Sequence, residues 1–174
     1  MTSDEELAAL RRLASEVREG CVVEIGSYRG RSAVALAEGV RAGGGAPIYA
    51  IEPHEEFVGV NGGVFGPEDR GVFYESMLAS GAYREVRLVN LPGSVVAAAW
   101  EHPVGMLFID GDHRYEAVRA DLDAWSPHLT EGAVVVFDDM QNRGPRQVAR
   151  EAADAGLVEH GERVGKMLVT RRAG

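Results

Sequence analysis

The stretch VVEIGSYRGRS (residues 22–32) runs a short apolar segment through two glycines straight into a helical pattern. CVVEI, residues 21–25, is β-branched and almost wholly apolar, as a strand covered on both faces requires. RSAVALAEGVRAGGG, from residue 31, reads as a helix ending in a glycine loop. Two readings of the junction stand. Gly26 and Gly30 serve only a tight strand-to-helix connection, or their bare backbone lets a ligand lie at a helix N-terminus. It is not a dinucleotide fingerprint, since G-x-G-x-x-G is absent. Nor is it a phosphate loop, because the spacing is short and Arg31 stands where a lysine belongs.

Outward from this stretch, strands and helices alternate. Ser3 and Glu6 form a capping box, and Leu7, Leu10, Leu13, Ala14 and Val17 share one helical face that stops at Gly20. PIYAIE (47–52), EVRLVN (85–90), GMLFID (105–110) and GAVVVFDD (132–139) read as further strands. PEDRGVFYESMLAS (67–80), GSVVAAAWEH (93–102), RYEAVRADLDAWSPHL (114–129) and PRQVAREAADAG (145–156) read as the helices between and after them. LVEHGERV and GKMLVTRR close the chain as two strands joined by a loop. PHEEFVGVNGG (53–63) has the glycines of a mobile loop. Such alternation predicts an α/β fold, a mostly parallel, doubly wound sheet in one domain spanning 1–174.

Composition narrows the function classes. With 174 residues, 45% of them hydrophobic, the chain suits one α/β domain with a sizeable core. No apolar run approaches the ~18–20 residues that span a bilayer, and MTSDEELAALRR lacks a signal pattern, so no membrane partner and a cytoplasmic location are expected. A single cysteine, Cys21, excludes an internal disulfide and a thiolate metal cluster. A net charge of −9 with scattered basic residues argues against nucleic acid as a partner.

Ligands of open α/β sheets bind outside the carboxyl ends of the strands. Each predicted parallel strand delivers polar or acidic groups there: Glu24 with the glycine turn, Glu52, Asn90 followed by Gly93 and Ser94, Asp110 to His113, and Asp138-Asp139. Taken singly, each has a plain structural explanation, as a turn, a helix cap or a solvated loop residue. Taken together they form a carboxylate cluster, which is costly unless something positive sits within it. Three converging aspartates suit a hard divalent cation.

These residues carry a resemblance. VVEIGSYRGRSAVALA, AIEPH, LFIDGDHRYEAVRADLDAW and AVVVFDD resemble the class I S-adenosylmethionine-dependent methyltransferases. More narrowly, they look like the metal-dependent O-methyltransferases of antibiotic sugars and, distantly, the catechol type. The resemblance covers residues 21–140. It implies a Rossmann-like seven-stranded sheet of order 3-2-1-4-5-7-6, with the last strand antiparallel. Glu24, Gly26, Ser27, Gly30 and Ser32 would then line the methionine end of the cofactor, with Asp110 nearby. Glu52 would hold the ribose hydroxyls, and Gly93 and Ser94 would sit by the adenine. Asp110, Asp138 and Asp139 would bind Mg²⁺ or a similar ion, and His113 would act as general base, with Asp110 in the catalytic group. The acceptor would be a small-molecule hydroxyl, on a natural-product sugar or a phenol. The short chain leaves room for a homodimer. A catalytically silent module of the same fold is the alternative, and a nicotinamide-dependent oxidoreductase a more distant one.

Overall fold

The computed structural model describes residues 2–174. Nine strands and six α-helices follow in chain order: α1 (Asp4–Glu16), β1 (Cys21–Ile25), α2 (Arg31–Ala42), β2 (Ile48–Ile51), β3 (Phe57–Val58), β4 (Val64–Phe65), α3 (Asp69–Ser80), β5 (Val86–Val89), α4 (Gly93–Ala97), β6 (Val104–Ile109), α5 (Tyr115–Trp125), β7 (Leu129–Phe137), α6 (Arg143–Asp154), β8 (Glu162–Val164) and β9 (Met167–Arg171). Seven strands form one sheet of order β5-β2-β1-β6-β7-β9-β8. The first five lie parallel and β9 runs antiparallel between β7 and β8. With the short pair β3–β4 set aside, this is the expected order, and the antiparallel strand is where it was expected.

The alternation of side chains along each strand explains the two cores. Val22, Met106, Phe108, Val134 and Val136 face α1, α2 and α3. Cys21, Val23, Ile25, Leu107, Ile109, Val135 and Phe137 face α4, α5 and α6. All of β1 is buried, so the polar Glu24 lies inside the sheet with Ala50 and Phe108 as its lateral neighbours. No helix among the described residues is long and apolar enough to cross a membrane.

The N-terminal capping box forms as read, with Ser3 N donating to Glu6 Oε2 at 2.6 Å and Glu6 N to Ser3 Oγ at 3.3 Å. Helix α1 ends at Glu16, earlier than Gly20 suggested. Gly20 instead holds φ +75°, where a Cβ would stand 2.5 Å from the Pro103 carbonyl oxygen. The segment read as a loop holds β3 and the turn of the β3–β4 hairpin, closed by Gly59 N donating to Gly63 O at 2.9 Å, and β4 follows directly after it. Strands of two residues are too short to carry a periodic signal.

Helices α1 and α2 cross where α2 has no side chain. A Cβ on Gly39 would collide with the Arg11 carbonyl oxygen and stand 2.9 Å from Ala14 Cβ, and one on Gly43 would collide with the Ser15 carbonyl. Gly39→Ala should therefore destabilise the protein by about 1–3 kcal/mol, although alanine is the better helix former by ~1 kcal/mol. Urea unfolding checks this, and a stabilised variant would disprove the close crossing.

Candidate active site

The sheet order reverses at β1, with β2 on one side and β6 on the other, so the crevice opens above these three strand ends. The three non-glycine residues with positive φ all follow parallel strands here: Tyr28 (φ 46°) after β1, His54 (φ 52°) after β2 and Asp139 (φ 50°) after β7. Such conformations cost energy and persist only where surroundings hold them.

Glu52 ties the first two strand ends together. Its carboxylate accepts from Tyr28 N at 3.0 Å and from His54 N at 2.9 Å. The buried His54 ring pairs through Nε2 with the Tyr28 carbonyl oxygen at 2.9 Å, and through Nδ1 with Asn90 Nδ2 at 3.3 Å. Asn90 Nδ2 also donates to the carbonyls of Glu52 and Pro53 at 2.6 and 2.8 Å. The segment after β2 is anchored to the same turn. Buried Asp69 accepts from Arg29 Nε at 2.7 Å and from Gly66 N at 3.0 Å, and the Phe65 ring meets Tyr28 edge-on with centroids 5.0 Å apart. Arg114 reaches the β3–β4 hairpin from the opposite rim, Nη2 donating to Val58 O at 3.0 Å.

The glycines of the turn have structural causes. Gly26 holds φ +88°, and a Cβ there would collide with the backbone of Asp110 and stand 2.6 Å from Gly111 Cα. Gly30 holds φ +84° and faces α3, where a Cβ would stand 2.8 Å from Met77 Cε and 3.0 Å from Phe73. Glu24 differs from them in carrying an unsatisfied buried atom. Ser27 Oγ donates to its Oε2 at 2.6 Å, while Oε1 is buried without a hydrogen-bond partner. Burial pushes this carboxyl up to about 7, with the Ser27 and Ser32 hydroxyls holding it back and Glu52 adding to the rise. Ser32 is itself buried in the first turn of α2. On the other side of β1, the position of a Gly93 Cβ lies 2.9 Å from Asp121 Oδ1 and 3.7 Å from Trp125 Nε1. That indole N–H is buried and unpartnered. Burial, then Asp112, raises the Asp121 carboxyl to about 7. Ser94 is exposed at the start of α4.

The third group gathers at β6 and β7. Asp138 stands beside Asp110, its N–H donating to the Ile109 carbonyl at 3.0 Å, and its Oδ1 is buried without a hydrogen-bond partner. His113 spans Asp110 Oδ1 (3.4 Å from Nε2) and Asp139 Oδ2 (3.3 Å from Nδ1). Burial, then the Asp138 carboxylate, holds the Asp110 carboxyl well above its usual range. Burial lowers the His113 pKa against the pull of Asp139 and Asp138, so the neutral ring is favoured. A cavity of about 520 Å³ opens beside His113, walled by Val60, Arg114, Tyr115, Asn142, Arg143 and Gln147.

The three aspartates do meet, yet their arrangement does not fit the expected Mg²⁺. Lys166 Nζ stands between the last two, 2.7 Å from Asp138 Oδ2 and 2.6 Å from Asp139 Oδ1. The ammonium denies a divalent ion Asp138 Oδ2, Asp139 Oδ1 and the space between them, while Asp138 Oδ1 is left buried without a hydrogen-bond partner. No group of three or more His, Cys, Asp or Glu side chains that could hold a metal occurs among the described residues. Lys166 is the residue that the sequence reading missed. Burial opposes its charge, but the hydrogen bonds to Asp138 and Asp139 outweigh that and raise its pKa. Burial likewise raises Asp139, and the donors Lys166 and Gln141 overcome it and leave that carboxyl below its usual range.

A family model described as a methyltransferase domain matches residues 23–140. A curated relative, the uncharacterized protein y4gI of Sinorhizobium fredii (strain NBRC 101917 / NGR234), is 28% identical over 136 residues. That alignment takes in 75% of this chain but only 14% of the relative, so the chain spans a small part of its length. Among solved structures, the S-adenosylhomocysteine-bound Podospora anserina methyltransferase PaMTH1 superposes with a TM-score of 0.79 at 15% identity, over 100% of this chain and 80% of its own. The apo structure of CalS11, described as a TDP-rhamnose 3'-O-methyltransferase of calicheamicin biosynthesis, gives 0.67 at 18% identity, over 95% and 76%. At such identities the likeness establishes the fold.

Glu24 makes stability depend on pH. Its carboxyl moves from 4.5 to about 7 on folding, so the folded chain holds the proton more tightly than the unfolded one. The burial penalty is absent below pH 4.5, grows as pH rises, and is complete above about 7. Glu24→Gln should therefore raise stability at pH 8, by on the order of 2–3 kcal/mol, and leave it nearly unchanged at pH 4.5. Urea unfolding at the two pH values measures this, and an equal effect at both would show that the carboxyl is not perturbed.

Proposed function

The chain belongs to the methyltransferase domain family, and from that premise we propose that it transfers the methyl group of S-adenosylmethionine to a hydroxyl of a small molecule. The observation that carries this reading is the crevice at β1. Glu24, Glu52 and Asp110 end three adjacent parallel strands around the point where the sheet order reverses, with the buried Glu24 Oε1 and Trp125 Nε1 left without partners on either side. Unpaired buried polar atoms are costly, and a nucleoside with an amino-acid tail offers them partners.

In this reading Glu24, Gly26, Ser27 and Ser32 border the methionine end of the cofactor. Gly30 acts through the turn's shape. Glu52, pre-oriented by two backbone N–H groups, holds the ribose hydroxyls. Gly93 and Ser94 border the adenine, with Asp121 and Trp125 offering an acceptor and a donor at its edge. When bound, S-adenosylmethionine supplies a sulfonium whose S–C bond breaks as the acceptor's O–C bond forms, leaving S-adenosylhomocysteine. The protein's work is then positioning and proton removal. His113, kept neutral by burial, takes the hydroxyl proton; its Nε2 is buried without a hydrogen-bond partner, 3.4 Å from Asp110 Oδ1. Asp139, whose carboxyl is held below its usual range, flanks the ring at Nδ1 and steadies the imidazolium that results.

The cavity beside His113 supports a small acceptor, since about 520 Å³ falls within the ~300–1,000 Å³ typical of small-molecule pockets. Its wall of arginine, tyrosine, asparagine and glutamine side chains favours a polyhydroxylated compound over a flat apolar phenol. The sugar-nucleotide acceptor named for CalS11 points the same way.

Calorimetric titration with S-adenosylhomocysteine tests the cofactor site. The wild-type chain should bind it, and Glu52→Ala should bind at least ~10-fold more weakly for loss of a two-point contact. No binding by the wild type would refute the reading. With an acceptor in hand, His113→Ala should lower the methylation rate by ~10²–10⁴-fold near neutral pH, as removal of a general base does. The loss should shrink at high pH, where the hydroxyl ionises unaided. A loss that does not vary with pH would remove His113 as the base.

A further inference from the structure

Of the 18 basic residues in this chain, Lys166 is the only lysine; the other seventeen are arginines. Its backbone and its ammonium are both engaged by hydrogen bonds. Gly165, at φ +58°, turns the chain between β8 and β9 and presents the next residue to the strand ends. The backbone of Lys166 is held from both sides: its N–H donates to Glu6 Oε1 at 2.7 Å, and its carbonyl accepts from Met140 N at 2.9 Å. Glu6 belongs to α1, and Met140 follows the aspartate pair, so the two sides of the clamp are separate parts of the fold. The side chain then spans to Asp138 Oδ2 and Asp139 Oδ1 at 2.7 and 2.6 Å, and is 24% exposed, while Asp138 is 1% exposed.

The geometry points to a built-in cation. We propose that the Lys166 ammonium is the resident positive charge of the Asp110–Asp138–Asp139 cluster, so that this chain works without a divalent metal and carries a latent metal site that only Lys166 closes. The chemistry favours lysine at this one position. An ammonium is a compact point charge with three donors that fits between two carboxylate oxygens, whereas a guanidinium is a wide planar fork suited to one carboxylate face-on. An ammonium also matches a hard metal ion in what it offers the aspartates, a concentrated charge accepting oxygen ligands from several directions. Remove the side chain, and what remains is an oxygen-rich cluster of the kind that takes Mg²⁺ or Mn²⁺. The proposal rests on the methyltransferase reading only for its catalytic meaning, because the cation's position is a property of the folded chain alone.

Mn²⁺ binding, followed by the loss of the free-ion electron paramagnetic resonance signal, tests it on the full-length chain. Wild-type protein should leave the signal undiminished through the micromolar range. Lys166→Ala should gain one Mn²⁺ site at least tenfold tighter than any in the wild type. Mg²⁺ should compete for that site, and adding Asp139→Asn to the variant should weaken it. A wild-type site of micromolar affinity that Asp139→Asn abolishes would overturn the proposal, as would a folded Lys166→Ala chain that gains nothing. Lys166→Met, which keeps the length and apolar stem, serves if the alanine variant does not fold, and the wild-type measurement needs no variant. S-adenosylhomocysteine titrated in chelator and in Mg²⁺ separates the two readings. Equal binding in both supports the metal-free site, whereas binding that requires Mg²⁺ overturns it. Absence of binding in either refutes the methyltransferase reading and leaves the Mn²⁺ result standing.

Discussion

Two neighbouring carboxylates at the end of a buried strand need a positive charge, and the arrangement of the sheet's far edge follows from supplying it. Asp138 and Asp139 end β7 with little access to water. Their counter-charge arrives from the β8–β9 turn, which the antiparallel run of β9 beside β7 brings back to the carboxyl ends of the parallel strands. A further parallel strand would have begun at the opposite edge. Breaking one partner of a buried pair costs roughly 3–5 kcal/mol, which makes the terminal hairpin part of the site as well as a cover for the sheet. Helix α1 joins it through Glu6, whose carboxylate closes its own helix cap and holds the Lys166 N–H. One positive charge against two carboxylates leaves a negative balance beside His113.

The opposite rim is built by the same economy of contacts. Glu52 fixes the glycine turn to the second strand, His54 and Asn90 fix the second strand to the third, and Arg29 with Asp69 fixes the turn to α3. The strained residues Tyr28, His54 and Asp139 sit at the nodes of this network, where hydrogen bonds hold the backbone against its preference. A crevice framed in this way is set before a ligand arrives, which spares the ordering cost of binding.

Much of this was legible in the sequence, and what was not has identifiable causes. The strand order, the two-sided burial and the capping box follow from local patterns, and the acidic strand ends pointed to one edge without any knowledge of contacts. The glycines were read as a choice between turn and ligand, and the structure shows what the turn itself demands: Gly26 and Gly30 are closely approached by Asp110 and by Phe73 and Met77, residues far away in the chain. The β3–β4 hairpin is too short to show a period. The expected metal finds no support among the described residues, and the reason is instructive. Three aspartates were read as needing a cation, and the ammonium that the fold sets between two of them lies 28 residues from Asp138 and 27 from Asp139. Its only trace in the sequence was compositional, a single lysine in a chain that otherwise uses arginine.

That scarcity has a practical side. Amine-directed reagents, which on most proteins scatter over many surface side chains, find one lysine in this molecule, and it is engaged by two carboxylates. Reductive methylation or an activated ester would therefore act here as a gauge of the clamp, slow while the aspartates grip the nitrogen and fast once they release it.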